Sequence, residues 1–452
     1  MTRLLGEWRT LWRIAAPLLV AQLCYTGMGA VDTLVASRAG LYDLSGVAVG
    51  TGIWMPISLF LTGLCYAVSP ITARAYGAGD AGRVSHVLAQ SLWLGAALGA
   101  IAGIALRLFG GPMLSWFGID ADTFAVGDAY LNAIAWGLPG FCLFQALRSY
   151  QIGLGTTRAE MVIALAMVVL NVPLSAALVF GWGALPAMGA VGCGVATSLL
   201  FWAGAAAMGV TVLSRGRPSR AQWRFDGPLI KSLLTLGTPI GIAIFAEASV
   251  FAVIALLLAP LGAVAIAGHT IALNLSSIIF MFPLAIAMAT TARVGFLRGR
   301  GQWDLVRFSG LAAIALGCAF ALTTCVLTLL FRADIVAWYG APTAVQELAV
   351  SLLLLAAIYQ IPDAVQVVAA GVLRGWEDSK GPLVVALVCY WMIGLPGGMW
   401  LGLGWFGTEG LGASGFWIFL IVGLTLASAG MGWRMRHHYR RAPLENQTTA
   451  PT

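Results

Sequence analysis

A chain of 452 residues that is 60% hydrophobic and only 10% charged lies outside the composition of water-soluble domains, where about a quarter of residues are charged. Its net charge of +7 rests on 25 Lys and Arg against 18 Asp and Glu, too few and too dispersed for a nucleic-acid surface. Seven Cys, all within apolar segments, odd in number and without metal-ligand spacing, read as small core residues rather than as disulfides or metal ligands.

Apolar runs long enough to cross a hydrocarbon core of roughly 30 Å recur from end to end. Helices satisfy their own backbone groups in lipid, so the expected fold is an all-α polytopic membrane protein. Twelve transmembrane helices are predicted, at 14–37, 46–70, 87–109, 129–152, 160–181, 188–213, 232–260, 264–290, 308–331, 346–372, 383–404 and 411–433. The first run leads to no small-residue cleavage site and reads as a retained helix.

In helix 1, Pro17 permits a bend and Asp32 follows fifteen residues later, with Tyr25 between them on the same face. Helix 5 carries Asn171 and Ser175 on either side of Pro173, and helix 6 carries Thr197. Asn171 is either a partner for the acid or a cap for the backbone group that Pro173 frees. The polar stretch 214–227 then divides the helices six and six, giving an N-lobe at 1–213, a cytoplasmic linker, a C-lobe at 228–435 and a cytoplasmic tail at 436–452.

In the C-lobe, Glu247 stands eight residues after Pro239 in helix 7, and Asn274 follows on helix 8. Asp363 directly follows Pro362 in helix 10, one turn after Tyr359. Asp32, Glu247 and Asp363 are read as the acids of the apolar interiors, with no Lys or Arg beside them. Each costs roughly 3 kcal/mol near a bilayer midplane, which points to the binding of protons or cations. Two C-lobe carboxylates repel unless a proton or a cation such as Na⁺ lies between Glu247 and Asp363. Met281, Phe282 and Met288, with Trp54 and Phe60, are candidate apolar contacts for an organic cation. His269, near a helix end, reads as solvated. No structural metal and no cofactor are expected.

Basic residues favour the cytoplasmic side. Placing both termini there leaves only Arg38, Arg107 and Arg332 on the far side, while Arg74, Arg148, Arg158, Arg293, Arg374 and the Arg215, Arg217, Arg220 and Arg224 cluster stay inside. Sliding the second half over the first by 222 or 223 residues aligns Pro17 with Pro239, Gly46 with Gly268, Pro139 with Pro362 and Gly153 with Gly375. The fold is therefore expected as two pseudo-symmetric six-helix lobes in parallel orientation, able to alternate access by rocking. The acids break that symmetry, because their counterparts are Ile254, Tyr25 and Gly140.

Val31-Asp32-Thr33 after Pro17, Asn171-Val172-Pro173, Glu247, and Pro362-Asp363 running to Gly371-Val372-Leu373-Arg374-Gly375 together resemble multidrug and toxic compound extrusion (MATE) transporters, especially their NorM-like bacterial branch. The resemblance spans about residues 10 to 435. It implies a monomeric, multi-pass inner-membrane antiporter that exports cationic or lipophilic drugs, driven by inward H⁺ or Na⁺. It also implies a C-lobe cation site at Glu247, Asp363 and Tyr359, and an N-lobe coupling site at Asp32 with Asn171 and Thr197. Sodium-binding relatives tend to carry Asn or Asp where this chain has Ser175, which favours protons. Two other readings compete: a lipid-linked precursor flippase, which would need basic residues in its cavity, and an intramembrane aspartate enzyme.

Overall fold

The computed structural model describes residues 2–183, 186–214, 216, 218–405 and 409–448, with side chains described up to residue 440. Arg215 and Arg217 of the expected linker, and most of the expected tail, lie outside the described residues or side chains. Among the described residues there is no β-strand, and twelve helices are long and apolar enough to cross a membrane. They are α1 (Thr2–Ala39), α2 (Leu41–Gly77), α3 (Ala81–Trp116), α4 (Ala121–Gly153), α5 (Arg158–Phe180), α6 (Val191–Leu213), α7 (Gly227–Leu261), α8 (Ala263–Gly299), α9 (Trp303–Ala337), α10 (Thr343–Gly375), α11 (Lys380–Leu403) and α12 (Ala413–Arg440).

Each overlaps one predicted run, and most extend beyond it. An apolar run marks the hydrocarbon span, whereas the helix continues into the interface wherever residues such as Arg3, Arg9 and Arg13 permit it. Capping then sets some of the ends. Asp80 and Asp120 accept from the amides of Arg83 and Thr123 at the starts of α3 and α4, satisfying groups that a helix start leaves unpaired. Within α11, Leu387–Gly394 winds as a π-helix, a form that clusters at functional sites.

The chain forms two compact units, Ala16–Gly241 and Met1–Ala15 with Ile242–Thr452. Lobes counted by helix number and units counted by compactness are therefore different divisions of this chain. The first turns of α1 belong with the carboxy-terminal unit, where Trp8 Nε1 donates to the Ala312 carbonyl at 2.8 Å and Glu7 receives Arg293 through two bonds at 2.8 and 3.0 Å. The start of α7 belongs with the amino-terminal unit. Each changeover falls beside a proline, Pro17 or Pro239.

The start of α7 packs on α2 through glycines. A methyl on Gly63 would lie 2.4 Å from Gly241 Cα, and one on Gly237 would lie 2.5 Å from the Leu64 carbonyl oxygen. Only hydrogen fits there, so the backbones touch in the small-residue manner of Gly-x-x-x-Gly seams, here Gly237 to Gly241. The segment before α7 is fastened to α3: Gln90 donates to the carbonyls of Gln222 and Arg224 and accepts from the Asp226 amide, and Trp93 donates to the Trp223 carbonyl.

The carboxy-terminal unit packs around Leu352, Leu353, Ala356, Phe416, Trp417 and Leu420, all essentially buried. Between α10 and α11, Asp378 receives Arg434 Nε and His438 Nε2 of the last helix, each at 2.7 Å, and the Gly381 amide at 3.1 Å. Burial alone would push this carboxyl up, but the hydrogen bonds from His438, Arg434 and Gly381 outweigh it and hold Asp378 well below the usual carboxylate range.

Candidate functional site

In the amino-terminal unit, α1, α5 and α6 bring four polar side chains into one apolar interior. Asp32 is 9% exposed, and Asn171 and Ser175 are fully buried. Thr197 Oγ1 donates to Asp32 Oδ2 at 2.8 Å, while Asn171 Nδ2 and Ser175 Oγ each donate to Oδ1 at 3.2 Å. All three partners expected from the sequence converge on the acid. The alternative for Asn171 falls away, because its amide reaches Asp32 and Ser175 and not the backbone opened by Pro173. The i to i+4 spacing of Asn171 and Ser175 puts both on one face of α5, and Thr197 arrives from α6 on the other carboxylate oxygen. Donors on both oxygens compensate a buried carboxylate for the water it has lost.

Tyr25 belongs to a second cluster. Its ring lies 5.3 Å from the Arg148 guanidinium and edge-on to Phe144. Arg148 is ion-paired with Glu160, which is 0% exposed, and also donates to Gln22. Two expectations are corrected here. Buried acids are not limited to Asp32, Glu247 and Asp363, and a basic residue does stand in the apolar interior. Arg148 and Glu160 each lie near the end of an apolar run, where they read as interfacial; folding brings α4 and α5 together and lets each neutralise the other.

In the carboxy-terminal unit, Asp363 is 6% exposed and Glu247 is half-buried. The Tyr359 hydroxyl lies beside the Asp363 carboxyl, and Glu247 acts on Asp363 electrostatically. Gln366, absent from the sequence expectations, donates its amide to Glu247 Oε1 at 2.9 Å. The π-helical segment of α11 reaches the same place, since Trp391 Nε1 donates to the Ala246 carbonyl at 3.0 Å. Tyr359 packs edge-on against Phe251 and Trp417.

A small cavity of about 10 Å³, room for about one water, opens on Asp363 and is lined by Ser276, Pro283, Phe320, Thr324, Tyr359 and Gln360 among others. Asn274 is exposed, and neither it nor Met281, Phe282 or Met288 is among the lining residues. Phe282 instead stacks on Phe320 with ring centroids 4.4 Å apart, and Met288 is buried. His269, expected as solvated, is 1% exposed and accepts from Trp417 Nε1 at 3.2 Å, because the aromatic cluster of α12 covers it. Among the described residues no group of three or more His, Cys, Asp or Glu is placed to hold a metal ion.

Twelve spans, two compact units and one set of buried acids in each describe a polytopic membrane protein of the transporter type. The MatE family model matches at residues 17–177 and again at 239–400, so this chain belongs to the MatE family. The two matches start 222 residues apart and end 223 apart, the displacement at which the prolines and glycines of the two halves align. The chain is 38% identical to multidrug resistance protein MdtK of Yersinia enterocolitica, over 96% of each chain. It is 40% identical to MdtK of Edwardsiella ictaluri, over 95% of each. The crystal structure of the Vibrio cholerae MATE transporter VcmN in the bent form matches with a TM-score of 0.86 over 98% of this chain and 99% of that one, at 20% identity, a likeness of fold.

Proposed function

We propose that this protein exports cationic or lipophilic drugs across a bacterial inner membrane, as a secondary antiporter and not as an enzyme, with both termini cytoplasmic. Family membership and the MdtK relatives, whose names are those of multidrug resistance proteins, support the substrate class. The observation that carries the coupling is the Asp32 cage: a carboxylate in an apolar interior, held by three side-chain donors from two other helices. A structural role does not account for that outlay, whereas an ion-coupling role does.

Asp363 with Tyr359, and Glu247 with Gln366, form the second coupling centre. A membrane potential supplies about 2.3 kcal/mol per charge per 100 mV, so inward passage of a cation can drive a solute outward. Protons are the preferred coupling ion, because Ser175, Asn171 and Thr197 present donors to Asp32 and thereby match a carboxylate that exchanges a proton. A flippase for phosphate-bearing lipids is disfavoured, since Arg148 is neutralised by Glu160.

The test is dye efflux from energised vesicles. Asp32→Asn and Asp363→Asn should each abolish it with the protein still inserted, and undiminished efflux in both would sink the proposal. Dye release by a pH step in sodium-free buffer, set against release by sodium at constant pH, separates the ions; a response to sodium alone would overturn the preference for protons.

A further inference from the structure

Two glutamines flank Asp363 on α10 at three-residue spacing and face opposite tasks. Gln366 gives its N–H to Glu247. Gln360 is 4% exposed and gives its N–H to Thr328 Oγ1 at 3.2 Å, which leaves its carbonyl Oε1 buried with no hydrogen-bond partner. An acceptor buried without a donor is uncommon and calls for a physical reason.

The cavity on Asp363 supplies one, because its polar lining holds acceptors whose protons are committed elsewhere. Ser276 Oγ donates to the Ala272 carbonyl, Thr324 Oγ1 donates to the carbonyls of Phe320 and Ala321, and the Tyr359 hydroxyl lies beside Asp363 itself. Gln360, whose Oε1 has no partner, and Asp363 complete the polar lining. A charged Asp363 adds one more acceptor to such a chamber. A neutral Asp363 brings the donor it lacks.

We infer that this cavity is the protonation chamber of Asp363, in which Gln360 Oε1 receives the proton of the neutral acid, directly or through the single water the space admits. Gln360 is thus a positioning residue for the proton-loaded state, and the inference rests on the coupling role proposed for Asp363. Tyr359 is the one other titratable side chain of the lining. From α8 it takes Ser276, Ile279, Phe280 and Pro283, and from α9 Phe320, Ala321 and Thr324. From α7 Glu247 acts on Asp363, and from α11 Tyr390 feels both acids. Arg374 of α10 acts on Glu247. From α12, Trp417 packs on Tyr359 and Ser428 donates to the Pro362 carbonyl, and neither titrates.

The test is infrared difference spectroscopy of the purified full-length protein across a pH titration without drug or gradient. The carboxylic acid band of Asp363 is identified by its loss in Asp363→Asn. Gln360→Leu should move that band to the position of an acid without an acceptor. It should also lower the pH at which the band is half-developed by about one unit, a tenfold change in proton concentration. Thr328→Val loosens the anchor but keeps the amide, so it should produce a smaller change in the same direction, and it decides the matter if Gln360→Leu does not fold. An unmoved band in the folded variants overturns the inference. So does a rise in the half-development pH, which would mean that the amide donates to the carboxylate. Vesicle efflux is read separately: a shifted band with undiminished efflux in Asp363→Asn would defeat the coupling role and leave the chamber standing.

Discussion

Replacing Thr197 with valine keeps the shape of the side chain and removes the donor 2.8 Å from Asp32 Oδ2. Asn171 and Ser175 both serve Oδ1, so Oδ2 loses its only side-chain donor among the described bonds. A hydrogen bond to a charged partner contributes about 1.5–3 kcal/mol, and stranding a buried oxygen costs a comparable amount, so about 2 kcal/mol of stability should be lost while Asp32 is charged. Once Asp32 is neutral the missing donor matters less, and the deficit should shrink to about 0.5 kcal/mol or less. Unfolding of the detergent-solubilised protein would be followed for wild type, Thr197→Val, Asp32→Asn and the double variant. Measurements at about pH 8 and about pH 5 give a coupling energy at each. A coupling near 2 kcal/mol at the higher pH that falls at the lower pH supports the cage. A deficit that persists at full size in the Asp32→Asn background would refute it and make Thr197 a packing residue.

Arg148→Met strands Glu160 as a buried unpaired acid and should cost about 3–5 kcal/mol, and adding Glu160→Gln should restore much of that; equal losses in the single and double variants would argue against a buried pair. Gly63→Ala sets a methyl against Gly241 Cα, so α2 and the start of α7 must part by about 1 Å at a cost of about 1–3 kcal/mol. That appears as a lower midpoint of thermal unfolding, whereas Gly52→Ala, with nothing within 4 Å, should leave the midpoint unchanged. Asp378 is held below its unfolded value of about 3.9, so its stabilising contribution is present above that value and fades as the pH falls below it. Asp378→Asn should therefore lower the unfolding midpoint at neutral pH and much less at about pH 3, and an equal effect at both would exclude the carboxylate as the cause.

Asp32 and its partners were legible in the sequence because an acid in an apolar run carries an energetic penalty, and polar residues beside Pro173 on a nearby helix are natural compensation. Gln360 and Gln366 were not. A neutral amide raises no such alarm, although a search three residues either side of Asp363 would have found both. Arg148 and Glu160 were hidden by their place at the ends of apolar runs, where one charge reads as a topological marker until a second is known to face it. His269 misled for a similar reason, since proximity to a helix end says nothing about the Trp417 that covers it. The number of helices and the repeat followed from hydropathy and spacing alone. The assignment of the first turns of α1 and α7 did not, because hydropathy locates a span without saying which neighbours its ends will choose.

Residues 227–241 complete the face of α2 that Gly63 exposes, while the first fifteen residues pack with segments made much later. A ribosome that has finished α6 has therefore not yet made a closed amino-terminal unit, and the start of α1 must wait in the bilayer for more than two hundred residues before its neighbours appear. Expressing the two halves as separate genes cut between 213 and 227 would hand each a segment that belongs with the other. Such halves should be short-lived alone and persist only when made together in the same membrane.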